Sequence, residues 1–470
     1  MATRIEQDSL GPKGVPVDAY YGLQTVRALE NFPISGLRLH PKMVEAMVTV
    51  KKAAALVNTD LELLKPEIGR AIAAAADEVL AGKLRDQFVV DVYQMGAGTS
   101  FNMNVNEVLA NRAIELLGGK KGDYTIVHPN DHVNMAQSTN DVFPTAMRMA
   151  ARLLLEELLP VLKDLKTALI GKAKEFDDIL KSGRTHLQDA VPIRLGQEFA
   201  AYAVTIGKCQ ERIAVAARSL EELGIGGSAV GTGLNTHQQY RTRLVEYLRA
   251  WTRIEWSAAP DMREAMQSNL PVAEASSALR LLALELTRIC NDLRLLTSGP
   301  TTGFAEIALP AAQPGSSIMP GKVNPSVVEM VNMVCFQVIG NDLTVSMAAQ
   351  AGQLELNVMM PVMAYNLHQS IDILKNATRA FVDRCVVGIV ADANRCRRYA
   401  ESSMALATAL NTYIGYARAA EVVKRAGREQ KRIIDVVREG KLLTEAQIAQ
   451  ILTPVKLTEP GLPGKPDESP

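Results

Sequence analysis

The segment Gly315-Ser-Ser-Ile-Met-Pro-Gly-Lys-Val-Asn-Pro325 sets two hydroxyls, one ammonium and one amide among residues that shape a turn. Gly315 and Gly321 allow close backbone approach or a positive φ, while Pro320 and Pro325 stiffen the chain. Lys322 is its only charge, and Ser316 and Ser317 are its only groups able to exchange a proton near neutrality. That mixture suits an anion and a proton transfer. Four further clusters have a similar make-up: Gly96-Ala-Gly-Thr-Ser-Phe-Asn-Met-Asn104, Gln137-Ser-Thr-Asn-Asp141, Gly183-Arg-Thr-His-Leu-Gln-Asp189 and Gly226-Gly-Ser-Ala-Val-Gly-Thr-Gly-Leu-Asn235. Taken singly, each has a plain structural reading. Ser138 to Asp141 reads as a helix cap, Thr99 and Ser100 as capping hydroxyls, and the 315–325 segment as a connector. Together they offer uncharged donors with one Lys and one His, and no paired carboxylates, metal-ligand cluster or phosphate loop. This inventory fits a small polycarboxylate held by hydroxyls, amides and helix N-termini, with no cofactor and no metal expected. A lone histidine such as His186 is more often structural than catalytic, and His128-Pro-Asn-Asp-His132 reads as a turn rather than a metal pair.

The elements that must position these clusters are helices. Met43, Met47, Val50, Ala54 and Val57 keep the spacing of one helix face. A second stretch runs from about Val142 to Leu180, with Leu155, Leu158, Leu162, Leu165, Leu169 and Phe176 on one side. A third runs from Leu195 through Phe199, Tyr202, Ile206, Cys209, Ile213 and Leu220 to Gly224, and further periodic stretches lie at 272–297 and 326–359. With 5% aromatic residues and abundant Ala and Leu, the fold class is all-α. In the last stretch Val327, Val328, Met330, Val331, Met333, Val334, Cys335 and Phe336 leave no wide polar face, which points to subunit association. The Pro-rich end after Thr453, with Pro454, Pro460, Pro463, Pro466 and Pro470, reads as loosely ordered.

The 470 residues exceed one small core, and 51 basic against 51 acidic residues leave no electrostatic footprint for nucleic acid or a membrane surface. Five scattered cysteines without a Cys-x-x-Cys pair fit a reducing compartment. Met1 to Asp8 lacks the apolar core of a secretory signal and no run is long enough to span a membrane, so a soluble cytoplasmic protein is expected.

Length adds a constraint. A continuous helix over 142–180 would measure about 58 Å, which puts Ser138 to Asp141 at one end and Thr185-His186 at the other. A site that uses both must combine different chains, unless Pro160 breaks the stretch into a hairpin.

Gly315 to Pro325, together with Gly183-Arg-Thr-His186, Gly231-Thr-Gly-Leu-Asn235 and Gln137-Ser-Thr-Asn-Asp141, resembles the aspartase/fumarase superfamily, and the similarity extends from about Asp8 to beyond Arg428. Asp18-Ala-Tyr-Tyr-Gly22, Ser138-Thr-Asn-Asp141, Thr185-His-Leu-Gln-Asp-Ala-Val-Pro192 and Ala351-Gly-Gln-Leu-Glu-Leu-Asn-Val-Met359 resemble its ammonia-lyase branch for aspartate. The resemblance implies a homotetramer of three-domain subunits with a shared central helical bundle. The domains would be 1–138, 139–395 and a small helical 396–470, with active sites built from three subunits. It also implies cofactor-free elimination from a dicarboxylate. Ser316 would be the base, and Thr99, Ser138, Thr139 and Ser317 would hold the β-carboxylate. Thr185, Lys322 and Asn324 would hold the α-carboxylate, Asn140 and His186 would surround the amine, and Glu329 would orient the histidine. A class II fumarase and a non-catalytic crystallin-like member are the alternatives. The sequence departs from the pattern at Thr301-Thr302, at Met360, at Thr412 and at the fumarase-like His128-Pro-Asn-Asp131.

Overall fold

The computed structural model describes residues 2–462 and is built mainly of helices, with small two-stranded β pairs between them. The elements that bear on the site are β1 (Thr3–Asp8), β2 (Gly11–Pro16), α1 (Pro41–Asp60), α2 (Thr99–Leu116), α3 (Thr139–Glu175), β3 (Leu180–Thr185), β4 (Gln188–Arg194), α4 (Leu195–Ser219), α5 (Leu270–Leu296), α6 (Ser326–Gln350), α7 (Met360–Arg384) and α8 (Ala393–Ser402). The all-α expectation describes this architecture.

Apolar periodicity accounts for the long helices. In α3, Leu154, Leu155, Leu158, Leu162, Leu165 and Leu169 are buried, and α5 buries Val272, Leu279, Leu282, Leu286, Ile289 and Leu293. Pro160 lies inside α3 and does not break it, since a proline removes one backbone hydrogen bond while the leucine stripe continues on either side. Two boundaries differ from the sequence reading. The second helix ends at Glu175 rather than near Leu180, because the chain turns there into the hairpin β3–β4. The stretch 326–359 is helical only to Gln350. The amino-terminal hairpin β1–β2 carried no signal that was read as strand. At the other end, Pro454–Thr458 forms a short helix where loose chain was expected, and the rest of that expectation, from Pro463 on, lies outside the described residues.

The chain divides into two compact units. One comprises the segments up to Pro160, Cys209–Leu284 and Val334–Asn376, and the other comprises Val161–Lys208, Glu285–Met333 and the chain from Ala377 on. The division falls inside each of α3 to α7, so both units are assembled from segments far apart in sequence. Among the described residues no helix is long and apolar enough to cross a membrane.

Within the first unit α7 is tied to α3 by fully buried His368, whose Nε2–H donates to the Met147 carbonyl at 3.0 Å. Burial pushes this imidazole down to about 4, only partly offset by the Met147 hydrogen bond. Since the folded value lies below the ordinary 6.5, the unfolded chain takes up the proton first. Stability is therefore complete above 6.5 and is lost as pH falls from 6.5 to about 4, by on the order of 3 kcal/mol. Thermal unfolding measured across this window should show a falling midpoint, and His368→Asn should flatten that slope.

Candidate functional site

Three of the five polar clusters meet in the first unit, where the N-termini of α2 and α3 converge. Asn102 Nδ2 in the first turn of α2 donates to Thr139 Oγ1 at 3.0 Å, and the rings of Phe101 and Phe143 pack edge to face at 6.2 Å. Gly98, the N-cap of α2, has φ +87°, and a Cβ on it would come within 2.2 Å of the Phe143 ring, so only glycine permits this approach. Ser138 caps α3: its Oγ accepts from Asn140 N at 3.2 Å, while Asp141 Oδ1 reaches back to Ser138 N at 2.9 Å. Thr99 does not cap α2, and its Oγ1 donates weakly to Gly96 O at 3.4 Å. Asp141 Oδ2 accepts from Gly226 N and Ser228 N at 2.9 and 3.0 Å, and Asn140 Nδ2 donates to Ala229 O at 2.8 Å. The Gly226–Asn235 loop is thereby docked against the start of α3. Thr99, Ser138, Thr139 and Asn140 thus belong to two adjacent helix ends whose dipoles and orphan N–H groups favour an anion.

Two titratable groups lie beneath the surface of this corner. Lys51 on α1 and Asp141 are fully buried. Burial pushes the Asp141 carboxyl up to about 7 against the pull of its N–H partners and Lys51, and burial drives the Lys51 ammonium well below its ordinary value.

The other two clusters belong to the second unit. Thr185 and Gln188 pair at the end of β3–β4, which makes His186 and Leu187 the two central residues of a tight turn. Both have positive φ, 56° and 60°, and both are exposed. Left-handed backbone costs a non-glycine residue about 1–2 kcal/mol, and such strain persists only where the surroundings over-determine it. The base of the hairpin supplies that constraint. Fully buried Glu306 accepts a bidentate pair from Arg184 at 2.9 and 3.0 Å and lies 3.3 Å from Lys181, which also reaches Glu198 at 2.7 Å. Arg184 also stacks over Phe304 at 4.2 Å. Burial works most strongly against the Arg184 charge, but the Glu306 hydrogen bonds together with the negative charges of Glu306, Asp189 and Glu198 outweigh it and its pKa is raised. Gly183 faces the Val191 carbonyl, which a Cβ would approach to 2.5 Å, and marks a bulge in the pairing.

The 315–325 segment closes on itself. A Cβ on Gly315 would lie 1.9 Å from Lys322 O, Asn324 Nδ2 donates to Gly315 O at 3.1 Å, and Gly321 takes φ +82°. Inside this ring Ser316 Oγ accepts from Met319 N at 2.9 Å and Ile318 N at 3.3 Å. Ser317 is exposed at its outer edge. Lys322, Asn324 and Glu329 line a cleft of about 1260 Å³ together with Arg294, Ser298 and Arg395. No hydrogen bond or ion pair joins His186 to Glu329 among the described residues of the chain. Thr301 and Thr302 are exposed, whereas Met360 is buried at the start of α7. His128 is a turn residue, its Nδ1 accepting from Asn130 N and Asp131 N.

Sequence reasoning missed the residues behind these groups. Glu306 was detectable only as a lone carboxylate in the short run Phe304-Ala-Glu-Ile307, whereas Asn102 stood inside the cluster 96–104 with no role of its own assigned.

One unit gathers hydroxyls and amides at two helix ends, the other holds a serine oxygen by backbone N–H groups, and each inventory suits a carboxylate substrate. Residues 11–340 match the family model described as Lyase, and residues 406–459 match that of the fumarase C C-terminus. The chain therefore belongs to the aspartase/fumarase superfamily and is a lyase. Relatives named aspartate ammonia-lyase, which are carbon–nitrogen lyases, match along nearly the whole chain. The one from Bacillus subtilis is 49% identical over 98% of this chain and 97% of its own, and the one from Escherichia coli K12 is 48% identical over 98% and 97%. Among solved structures, the cobalt-bound fumarate lyase:delta crystallin from Brucella melitensis superposes with a TM-score of 0.94 at 48% identity, covering 98% of this chain and 100% of that one. Class II fumarase from Schistosoma mansoni gives 0.94 at 37% identity, covering 97% and 99%.

Gly315→Ala should force the loop open at Lys322 without touching the helical core. The expected result is a loss of turnover of about 100-fold or more with a nearly unchanged unfolding temperature, read by initial rates and calorimetry.

Proposed function

We propose that the chain is an aspartate ammonia-lyase that reversibly eliminates ammonia from L-aspartate to give fumarate. The observation that carries this reading is the Ser316 hydroxyl, whose oxygen accepts two backbone N–H groups inside a loop that also holds Lys322. A serine hydroxyl is a poor base, and donors aimed at its oxygen lower the cost of the alkoxide. The alkoxide removes the Cβ proton, and the electron pair left on Cβ spreads into the β-carboxylate as an enediolate. Collapse of the enediolate forms the Cα–Cβ double bond and expels the ammonium nitrogen with the C–N electron pair as ammonia. Thr99, Ser138, Thr139 and Ser317 hold the β-carboxylate where the extra charge gathers. Thr185, Lys322 and Asn324 hold the α-carboxylate, and Asn140 and His186 face the departing nitrogen.

The same reading calls for a homotetramer with each site drawn from three subunits, in which Glu329 of one subunit meets His186 of another. Its support is α6. Met333, Phe336, Leu343 and Met347 are 56–65% exposed at alternating three- and four-residue spacing, with Gly340 between them facing open space. Such a stripe suits a seam against helices of other subunits. The three-domain division at about residues 138 and 395 and a cytoplasmic location belong to this proposal as well.

Fumarate hydration is the second reading, favoured by the similarity to class II fumarase and by the fumarase-like His128-Pro-Asn-Asp131. Turnover of aspartate and malate by one preparation, followed by the ultraviolet absorbance of fumarate, separates the two, and aspartate should be the substrate. Ser316→Ala should lower that rate by about 1000-fold or more, within the range of general-base catalysis, with the oligomer intact. A variant of undiminished rate would remove Ser316 as the base, whereas a non-catalytic crystallin-like member would turn over neither aspartate nor malate before any substitution.

A further inference from the structure

Behind Thr139 lies a chain of side chains with no reactive group of their own. Asn134 Nδ2 donates to the Gln137 carbonyl at 3.1 Å, and Asn134 Oδ1 accepts from Lys51 Nζ at 2.8 Å, Asn102 Nδ2 at 3.2 Å and Asn106 Nδ2 at 3.3 Å. Asn102 Nδ2 gives its second hydrogen to Thr139 Oγ1 at 3.0 Å. The direction of this chain is set at its far end. A backbone carbonyl only accepts, so Asn134 must turn its nitrogen to Gln137 and its oxygen to the other three. That oxygen also only accepts, so Asn102 must turn its nitrogen to Asn134, and the same nitrogen then reaches Thr139. A reversed Asn102 would bring two amide oxygens face to face. The orientation is kept even though it leaves Asn102 Oδ1 buried without a partner, a cost that native structures rarely bear without a reason.

We propose that Asn134 and Asn102 form a directional relay that holds the Thr139 hydroxyl as a donor toward the substrate carboxylate, with Lys51 fastening its inner end. With Asn102 N–H on its oxygen, Thr139 cannot give its hydrogen back to Asn102, and no group among the described residues of this chain takes it. Thr139 is nearly buried at the start of α3, and with its oxygen engaged by Asn102 its hydrogen is left for a ligand to accept. Asn134 and Asn102 are positioning residues that act through Thr139, and the proposal rests on the assignment of Thr139 to the carboxylate.

A double-mutant cycle tests it in the full-length enzyme, with succinate binding by calorimetry and the kcat and KM of aspartate as readouts. Thr139→Val should weaken succinate about tenfold, the scale of one hydrogen bond to a charged group, and Asn102→Leu should weaken it several-fold. The double variant should be no weaker than Thr139→Val alone, because Asn102 acts only through that hydroxyl. Asn134→Asp, which keeps the accepting oxygen, should lose less affinity than Asn134→Leu, and this pair decides the matter if Asn102→Leu does not fold. Effects of Asn102→Leu and Thr139→Val that multiply would overturn the relay, as would a lowered unfolding temperature with succinate binding intact. Unchanged succinate binding by Thr139→Val, with aspartate still turned over, would instead overturn the assignment of Thr139 and the relay with it.

Discussion

The carboxylate of Asp141 is the tie on which the first unit depends. One of its oxygens closes the cap of α3 through Ser138 N, and the other holds the backbone of Gly226 and Ser228. A single buried group therefore fixes where the longest helix begins and where a glycine-rich loop lies against it. Asp141 also stands in the field of Lys51, which lies under the meeting point of α2 and α3. The buried carboxyl and amine give this corner hydrogen bonds that surface hydroxyls alone would not supply, which holds the two helix ends in register.

The second unit reaches the same end by a different balance. Its hairpin tip is strained, and the strain is held by the buried pairing of Glu306 with Arg184 and Lys181. Removing one member of such a network leaves an uncompensated charge, so the network specifies geometry more than it adds stability. The Ser316 loop uses no buried charge. Its shape comes from the contact of Gly315 with Lys322 O and from the Asn324 staple, which suits a segment at the surface.

How far all this was legible in the sequence follows from which forces leave a periodic trace. Long helices do, because Leu158, Leu162, Leu165 and Leu169 must share a face, and the caps do, because Ser138 and Asp141 sit at the spacing a capping box requires. The β3–β4 hairpin does not. Its turn residues are His186 and Leu187, whereas tight hairpin turns announce themselves by Asn-Gly or Asp-Gly, so local chemistry pointed to a loop. The candidate residues stood out as clusters of small polar types. Helix length already sets 137–141 apart from 183–189 in the sequence, but the grouping of 96–104 and 226–235 with the first and of 315–325 with the second depends on contacts between distant segments, which have no local signature.

The left-handed pair at the hairpin tip has an evolutionary consequence. Glycine or asparagine would sit at either position with less steric penalty, so selection for heat resistance alone would push this turn toward them. A library screened only for survival on warming would exchange the imidazole for a residue at ease in that conformation.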